Sequence, residues 1–280
     1  MRLGPGVVVA VTGAGSGIGR ALAVEVAGRG SDLALADVDE AGLAETVLRC
    51  ERLGVRVSPT SLDVTDRAAV FAWADDVVER LGHVNVIVNN AGVALVAGTL
   101  GQSIEDVEWL MDVNFWGVVH GTQAFLPHLA DAPGGGHVVN VSSVFGLVSV
   151  PAQSAYNASK FAVRGYTDAL RMELEIEGSP VSCTTIHPGG IKTDIVRHAR
   201  TDESMAVAGT SRDDLVDEFD RAAISSPEKA ARQIVRAVER NRRRALIGPD
   251  AKVIDLISRL PAGLYQRALI ARTRRQRAKR

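Results

Sequence analysis

Short apolar runs alternate with longer amphipathic segments along most of the chain. The runs, rich in valine, isoleucine and leucine, fall at residues 7–11, 32–36, 55–60, 84–88, 138–141 and 181–186. Segments with helical periodicity lie between them, at residues 20–29, 41–53, 67–81 and 104–129 and around residues 156–160. Strands that alternate with helices imply right-handed crossovers and a parallel sheet. We therefore predict one α/β domain, a doubly wound parallel β-sheet of about seven strands with helices on both faces.

A cluster of glycines follows the first predicted strand and leads into the first predicted helix. The stretch reads Thr12-Gly13-Ala14-Gly15-Ser16-Gly17-Ile18-Gly19. Gly13 allows a tight turn, while Gly17 and Gly19 let the backbone and the helix approach a phosphate at the helix N-terminus. The spacing departs from the generic G-x-G-x-x-G fingerprint, although the context of strand, turn and helix matches it. The stretch predicts a dinucleotide site, with a purely structural glycine turn as the alternative.

Polar residues also end the next strands. Asp37 closes the second predicted strand, Asp63 follows the third and Asn89 the fourth. Ligands of doubly wound sheets bind at the carboxyl ends of parallel strands, so we expect these side chains along one edge. An acidic residue at the position of Asp37 accepts from the ribose hydroxyls of NAD and repels the additional phosphate of NADP. Because Val38 follows, rather than arginine or lysine, we predict NAD as the cofactor.

Tyr156 and Lys160 are spaced so that both side chains lie on one face of a helix. A phenol ordinarily keeps its proton up to a pKa of about 10. A neighbouring ammonium favours the phenolate, so the pair is a candidate acid–base device. The same spacing is also compatible with an ordinary helix that carries a packed tyrosine and an exposed lysine.

The order of these motifs along the chain resembles that of the short-chain dehydrogenase/reductase family. The resemblance extends over roughly residues 5–250 and rests on the glycine stretch, Asn89-Asn90-Ala91-Gly92, Asn114, Ser143, Tyr156-x-x-x-Lys160 and Pro188-Gly189. It implies a Rossmann-type fold and four catalytic residues. By resemblance Tyr156 is the general acid/base, and Lys160 lowers its pKa and holds the nicotinamide ribose. Ser143 orients the substrate oxygen, and Asn114 holds a water that links Lys160 to solvent.

The resemblance also implies the cofactor contacts. They are predicted at Gly13, Ser16, Gly17, Ile18, Gly19, Asp37, Asp63, Val64, Asn90, Ala91, Gly92, Tyr156, Lys160, Pro188, Gly189, Ile191 and Thr193. Ile191 and Thr193 are expected at the carboxamide of nicotinamide. Family members often carry asparagine where His187 stands in this chain. We interpret His187 as a polar residue at a strand end rather than as a second catalyst.

An apolar loop precedes Tyr156, and an irregular charged stretch follows Thr193. Substrate contacts are predicted at Ser143, Phe145, Val150, Gln153 and Tyr156. An apolar loop at the mouth favours a lipophilic secondary alcohol and its ketone, or an aldehyde. Residues 194–226 are expected to form a lid that excludes water during hydride transfer. The rival hypothesis is a regulatory or scaffold protein that binds the dinucleotide without turnover, and the complete catalytic set argues against it.

Composition narrows the remaining possibilities. Hydrophobic residues make up 46% of the chain and charged residues 23%, with a net charge of -1, so nothing global favours a nucleic-acid partner. The two cysteines, Cys50 and Cys183, lack metal-ligand spacing, and the histidines show no paired motif, so we predict no metal site. We expect a cytoplasmic protein, because we see neither a leader segment nor an apolar run long enough to span a bilayer.

The last thirty residues or so differ from the rest of the chain. We divide the chain into a catalytic domain at 1–250 and a C-terminal helix with a basic tail at 251–280. Val253, Leu256, Ile257 and Leu260 predict an apolar helix face, and residues 264–280 carry seven arginines and lysines and no acid. A docked helix with a frayed end, a helix on an anionic membrane surface and a subunit-contact arm remain alternatives. A homodimer or homotetramer is expected by resemblance alone.

Overall fold

The computed structural model describes residues 1–202 and 212–277 of the chain. Its strands are β1 (Val8–Thr12), β2 (Asp32–Asp37), β3 (Val57–Ser61), β4 (Val86–Asn89), β5 (Leu95–Val96), β6 (Gly136–Val141), β7 (Val181–Pro188), β8 (Arg200–Thr201) and β9 (Arg244–Ile247). Its helices are α1 (Gly17–Ala27), α2 (Glu40–Glu51), α3 (Arg67–Leu81), α4 (Ile104–Met111), α5 (Gly117–Asp131), α6 (Ser154–Ile176), α7 (Arg212–Ala222), α8 (Pro227–Glu239), α9 (Pro249–Ser258) and α10 (Ala262–Arg277).

The main sheet has seven parallel strands in the order β3-β2-β1-β4-β6-β7-β9. This confirms the predicted doubly wound α/β fold. The strand order reverses between β1 and β4, and a crevice opens at such a reversal, beyond the carboxyl ends of the strands. The glycine stretch and the loop that begins at Asn89 both leave the sheet at this crevice.

Alternation along the strands supplies an apolar core to each face of the sheet. In β1, Val9 and Val11 pack with α1, α2 and α8, whereas Val8 and Ala10 pack with α3, α5 and α6. Both faces of these strands are buried, which explains why they read as continuous apolar runs in the sequence. On the second face, the rings of Trp73 and Phe125 meet edge to face with centroids 4.9 Å apart.

The predicted helix at 104–129 is interrupted. A π-helical turn, Asp112–Trp116, separates α4 from α5, and Asn114 lies inside it. π turns within helices often occur at functional sites. The interruption therefore contains Asn114. This residue stands out in the sequence because asparagine is a poor residue for a helix interior.

The segment after Thr193 is more regular than expected. Residues 194–226 contain strand β8 and helix α7, and β8 pairs with β5 in a separate two-stranded sheet. The apolar stretch at residues 205–209, which we expected within the lid, lies outside the described residues. Helix α9 begins at Pro249 and crosses the domain boundary predicted at residue 250, so the structure has no break at that point.

Two further observations concern metal and membrane. Within residues 1–202 and 212–277, no group of His, Cys, Asp or Glu side chains is arranged to hold a metal ion. No helix in the described part of the chain is long and apolar enough to cross a membrane.

Candidate active site

The loop after β1 and the loop after β4 are tied together at the crevice. The Thr12 hydroxyl oxygen accepts hydrogen bonds from the backbone N–H groups of Asn90 and Ala91, at 3.0 and 3.1 Å. The Asn90 amide in turn donates to the carbonyls of Thr12 and Gly13, at 3.0 and 3.1 Å. These four bonds fix the floor of the predicted cofactor groove through backbone atoms of both loops.

Three glycines of the stretch occupy places where a side chain would not fit. Gly13 and Gly17 have positive φ angles of 65° and 50°, and a Cβ on Gly13 would lie 2.8 Å from the Ala91 Cα. A Cβ on Gly19 would overlap the carbonyl oxygen of Gly13. The backbone is thus bare where α1 begins, as a pyrophosphate at that helix N-terminus requires.

Asp37 lies beside the glycine stretch with both carboxylate oxygens held. The Gly15 N–H donates to Oδ2 at 2.7 Å, and the Asp39 N–H donates to Oδ1 at 2.9 Å. A carboxylate oxygen has more than one lone pair, so both remain able to accept from a ribose hydroxyl. Val38, the next residue, is 66% exposed and carries no charge for an additional phosphate. The carboxylate can therefore accept from the hydroxyls of a ribose at this strand end.

The third strand end has a more structural arrangement. Asp63 is exposed, and its Oδ1 accepts from the Thr65 N–H at 2.9 Å in a local turn. Val64 is buried, and its carbonyl lies 3.1 Å from His120 Nδ1. Helix α3 is capped by Asp66, which accepts from the Ala69 N–H. The cofactor contacts expected of Asp63 and Val64 stay a prediction.

Tyr156, Ser143 and Lys160 are brought together from α6 and the end of β6. The Tyr156 hydroxyl lies close enough to the Ser143 hydroxyl for Ser143 to lower the pKa of the phenol. Lys160 Nζ lies 5.6 Å from the Tyr156 ring centroid and donates to the Val141 carbonyl at 3.2 Å. The Ser142 hydroxyl instead donates to the Lys160 carbonyl at 2.7 Å. Neighbouring serines thus serve different purposes, because alternation at a strand end points them to opposite faces.

Burial dominates the protonation of this group. It raises the pKa of Tyr156 to about 12, and the hydrogen bond from Ser143 lowers that pKa only in part. Burial also lowers the pKa of Lys160 to about 8. The net shift of the Tyr156 pKa is therefore upward, opposite to the expected lowering, because burial disfavours the charged phenolate. The influence of Lys160 on that pKa stays a prediction.

Asn114 is completely buried, and its amide is bound to a neighbouring loop. Its Oδ1 accepts from the Val93 N–H at 2.8 Å, while its Nδ2 donates to the Val93 carbonyl at 3.0 Å and to the Ser159 hydroxyl at 3.3 Å. A Cβ on Gly92 would lie 3.1 Å from Asn114 Oδ1 and 3.5 Å from Lys160 Nζ. Asn114 and Lys160 thus meet beside Gly92, and the water between Lys160 and solvent stays a prediction.

The loop after β7 crosses back towards the glycine stretch. A Cβ placed on Gly17 would lie 3.0 Å from Thr193 Cγ2. Ile191 is buried, and Pro188 and Gly189 precede it at the strand end. Ser16 is exposed at the start of α1, and Ile18 is half-buried and packs against the core, so their cofactor contacts stay a prediction.

His187 is buried next to the catalytic serine. Its Nδ1 lies 2.7 Å from the Ser143 carbonyl, which can only accept, so Nδ1 carries the proton. Burial lowers the pKa of His187 to about 4, which leaves the ring neutral near pH 7. The residue thus fixes the backbone of Ser143, and no feature of its geometry supports a second proton donor.

Apolar residues surround Tyr156 on the side away from the groove. The Phe145 ring meets Tyr156 edge to face, with centroids 6.2 Å apart. Tyr156 also packs with a cluster that sequence reasoning missed: Ala94, Val96, Ile195, Ala199 and Leu215. These residues come from β5, from the segment before β8 and from α7, none of which has a long apolar run. In the sequence, Tyr156 is the one signal that could have pointed to this cluster.

Val150 and Gln153 contact the rest of the protein mainly through their backbone atoms. The Val150 carbonyl accepts from Asn157 Nδ2 at 2.9 Å, and Gln153 precedes α6 and forms an isolated bridge with Ala97. Both side chains are half-buried. Their assignment to the substrate stays a prediction, whereas Phe145 lies against the candidate catalytic tyrosine.

Known proteins resemble this chain over most of its length. The family model for short chain dehydrogenase matches residues 7–204. A Mycobacterium tuberculosis protein that carries the name oxidoreductase SadH is 48% identical over 267 residues, which is 95% of this chain and 95% of that protein. Estradiol 17-beta-dehydrogenase 11 of Rattus norvegicus is 36% identical over 197 residues, 70% of this chain and 66% of that protein.

A solved structure agrees with these sequence relatives. The short chain dehydrogenase/reductase of Burkholderia phymatum in complex with NAD aligns with a TM-score of 0.83 at 33% identity, covering 90% of this chain and 92% of that one. The family match, the sequence relatives and this structural neighbour all point the same way. The chain belongs to the short-chain dehydrogenase/reductase family and is an oxidoreductase of that family.

Proposed function

We propose that the protein uses NAD(H) to interconvert a secondary alcohol and a ketone, or an aldehyde, on a lipophilic small molecule. The observation that carries this proposal is that Tyr156, Ser143 and Lys160 lie together, with Lys160 Nζ 5.6 Å from the Tyr156 ring centroid. Two hydroxyl donors converge there on one point at the edge of the predicted cofactor groove. A reacting oxygen at that point would gain a hydrogen bond and a proton donor together.

The roles of the cofactor and of the three side chains follow from the chemistry of carbonyl reduction. NADH supplies a hydride to the carbonyl carbon, and NAD accepts it in the reverse direction. Tyr156 donates a proton to the oxygen that becomes an alkoxide, and Ser143 donates a hydrogen bond to the same oxygen. With a pKa of about 12, Tyr156 is protonated near neutral pH and ready to donate. Lys160, with a pKa of about 8, is charged at pH 7 and supports the developing negative charge.

The preference for NAD is supported by Asp37. The two backbone N–H groups of Gly15 and Asp39 hold its carboxylate towards the glycine stretch. A phosphate on the ribose would meet that negative charge with no arginine or lysine at residue 38. The Burkholderia phymatum relative was solved with NAD, which agrees with this preference. Titration with NADH and NADPH in parallel tests it, and tighter binding of NADPH would exclude it.

The lipophilic substrate class is supported by the residues around Tyr156. Phe145 and the cluster that contains Ala94, Val96 and Ala199 offer carbon atoms rather than charges. Burial of apolar substrate surface against such walls contributes about 25 cal/mol per Å². The rat relative is named for estradiol, and that name agrees with an apolar alcohol. We further propose residues 194–226 as the lid over this site.

Replacement of Tyr156 by phenylalanine tests the catalytic assignment. The variant Tyr156→Phe removes the proton donor and keeps the ring, so we expect turnover to fall by at least about a hundredfold. Binding of NADH, followed by its fluorescence, should be retained. Tyr166→Phe on the same helix is the matched control and should keep full turnover. Unchanged turnover in Tyr156→Phe would remove the assignment and favour the scaffold hypothesis.

Assembly and location are also proposals. We propose a homodimer or homotetramer, because the π-helical turn and α6 expose large apolar side chains at Trp116, Met172 and Ile176. A cytoplasmic location agrees with Cys50 and Cys183, which are both free thiols. Light scattering of the purified protein tests the oligomeric state.

A further inference from the structure

Helix α9 and the turn after it expose three aliphatic side chains. Val253 and Leu256 of α9 and Leu260, just past its end, are 58, 66 and 50% exposed. The inner side of the helix holds Ala251, which is fully buried, and Asp255, which is 7% exposed. Ile254 and Ile257 are half-buried. A surface helix normally buries its apolar stripe, so the three exposed side chains form an apolar patch that suits contact with an apolar surface.

Helix α10 continues this surface and adds positive charge. Leu264 and Ile270 are 56 and 46% exposed. The sequence from 264 onward has seven arginines and lysines without an acid: Arg267, Arg272, Arg274, Arg275, Arg277, Lys279 and Arg280. We call residues 249–277, which comprise α9 and α10, the C-terminal arm.

The two acids of the C-terminal arm are engaged with the protein. Asp250 Oδ2 accepts from the Gly190 N–H at 2.6 Å, in the loop predicted to hold nicotinamide. Asp255 is buried and pairs with Arg259 at 2.7 Å. The outward surface of the arm therefore combines aliphatic side chains with basic ones, the combination that binds anionic lipid interfaces.

The C-terminal arm lies next to the substrate side of the molecule. The Tyr265 hydroxyl accepts from the Ser149 N–H at 3.4 Å, in the loop that carries Phe145. Arg272 lies 3.9 Å from Glu218 of α7, and Leu215 of α7 belongs to the cluster around Tyr156. The arm thus contacts both elements that flank the candidate catalytic tyrosine.

We propose that the C-terminal arm docks on an anionic lipid surface and places the substrate entrance against it. The aliphatic side chains of α9 enter the interface, and the arginines of α10 bind the headgroups. A lipophilic alcohol or ketone then passes from the lipid to Tyr156 without crossing water. The docking stands on the surface of the arm alone, whereas the passage of substrate rests on the function proposed above.

A second copy of the chain is a poorer occupant of this surface. Two arms facing each other would bring their arginines together, and like charges oppose such contact. The acids of α7, at Asp213, Asp214, Asp217, Glu218 and Asp220, would instead attract the arm of a second copy. That arrangement would appear as self-association, which the experiment measures in parallel.

Sedimentation with lipid vesicles tests the docking on the full chain without substrate. The wild-type protein should sediment with vesicles that contain phosphatidylglycerol and stay in solution with phosphatidylcholine alone. Arg267→Gln with Arg274→Gln should weaken partition about fivefold per arginine, the ratio equal to about 1 kcal/mol per charge. Leu256→Ser with Leu260→Ser should weaken it by at least about tenfold per leucine.

Control variants of equal exposure lie elsewhere on the surface. Leu48→Ser with Leu53→Ser alters side chains that are 56 and 47% exposed near α2, and Arg52→Gln with Arg232→Gln removes two exposed charges. These controls should keep full partition. Equal partition with both kinds of vesicle, or equal losses in controls and arm variants, would overturn the proposal. Arm variants that change only the oligomeric state in light scattering would assign the surface to a second copy.

The passage of substrate is tested separately by turnover. With an apolar secondary alcohol dissolved in anionic vesicles, the arm variants should lose turnover severalfold. With a small water-soluble alcohol they should match the wild type, because α9 and α10 do not enter the chemistry. Loss of vesicle binding with unchanged turnover in vesicles would overturn the passage. The Tyr156→Phe result bears on the catalytic assignment alone, so the two failures are distinguishable.

Discussion

The cofactor side and the substrate side of the molecule are held by different kinds of contact. On the cofactor side, backbone groups and short polar side chains join neighbouring loops, as in the bonds of Thr12 to Asn90 and of Gly15 to Asp37. On the substrate side, two strands of two residues each, β5 and β8, are paired at Leu95–Arg200 and Val96–Thr201. Apolar side chains fill the remainder of that side.

The difference corresponds to two proposed functions, cofactor binding and substrate binding. Every substrate of such an enzyme needs the same dinucleotide, so the loops that hold it use backbone atoms, which do not change with the side chain. Apolar walls can be exchanged residue by residue without disturbing those loops. Changes on one side should therefore leave the other side intact. The following predictions test whether the effects of such changes are independent.

The largest effect is expected on the cofactor side, at Gly19. In Gly19→Ala the new methyl group would overlap the carbonyl oxygen of Gly13, so α1 must move away from the turn. A displacement of that kind costs about a hundredfold in turnover, and the overlap costs about 1 to 3 kcal/mol in stability. NADH fluorescence titration should show the weakened binding, and thermal unfolding the lost stability.

Gly165→Ala is the matched control for this experiment. Gly165 lies in α6, and a Cβ there meets nothing within 4 Å. Alanine favours a helix over glycine by about 1 kcal/mol, so this variant should be slightly more stable and bind NADH normally. Equal NADH affinity in Gly19→Ala and Gly165→Ala would contradict the role given to the glycine stretch.

The cofactor side was largely predictable because its signals are local. One βαβ unit contains the strand at 7–11, the glycines that follow it and Asp37. Within such a unit, turn geometry and chain length determine which residues come into contact. The parallel sheet followed from the alternation of elements, and its seven strands confirm it. Asn114 could also be identified from its local sequence, since asparagine disfavours a helix interior.

The substrate side was not predictable because its contacts join distant segments. Leu95 pairs with Arg200 across more than a hundred residues, and two-residue strands leave no periodic pattern. The π-helical turn around Asn114 depends on the bonds of its amide to Val93. The direction of the Tyr156 pKa shift was also missed, because burial is a property of the folded molecule rather than of the Tyr-x-x-x-Lys spacing.

Lys160 lies between the two sides. Its buried charge is expected to support turnover and to lower the stability of the fold. Its pKa is about 8 in the folded protein against an ordinary value of 10.5 for lysine, so the unfolded chain holds the proton more tightly. Below pH 8 the burial of the charged form costs about 3 kcal/mol of stability, and this cost disappears as the pH rises towards 10.5. Lys160→Met should therefore be more stable than the wild type at pH 7 and lose turnover.

Urea unfolding of both proteins at pH 7 and near pH 10 measures this effect. The advantage of Lys160→Met should shrink at the higher pH, because the wild-type lysine is then largely neutral in the fold. Lys229→Met, at an exposed position on α8, should show no such pH dependence. A stability difference that is the same at both pH values would contradict the burial argument.

The smallest effect is expected on the substrate side, at Arg200. Its guanidinium lies 3.6 Å from the Trp109 ring centroid and 2.8 Å from Asp106 Oδ1, so it fastens β8 to α4. The side chain is 48% exposed, and such contacts contribute about 1 kcal/mol together. This small contribution acts locally, since β8 follows Ala199 in the cluster that packs with Tyr156.

Arg200→Gln should therefore raise the KM for an apolar alcohol about fivefold and leave the affinity for NADH unchanged, since roughly 1 kcal/mol of anchoring is lost. Arg56→Gln is the matched control, because it removes a comparable exposed ion pair with Asp32 at the start of β2, at the edge of the sheet opposite the crevice. Both variants should melt within a few degrees of the wild type, yet only Arg200→Gln should change the KM. If both change it equally, surface ion pairs act through overall stability, and the two sides are not separable at this level.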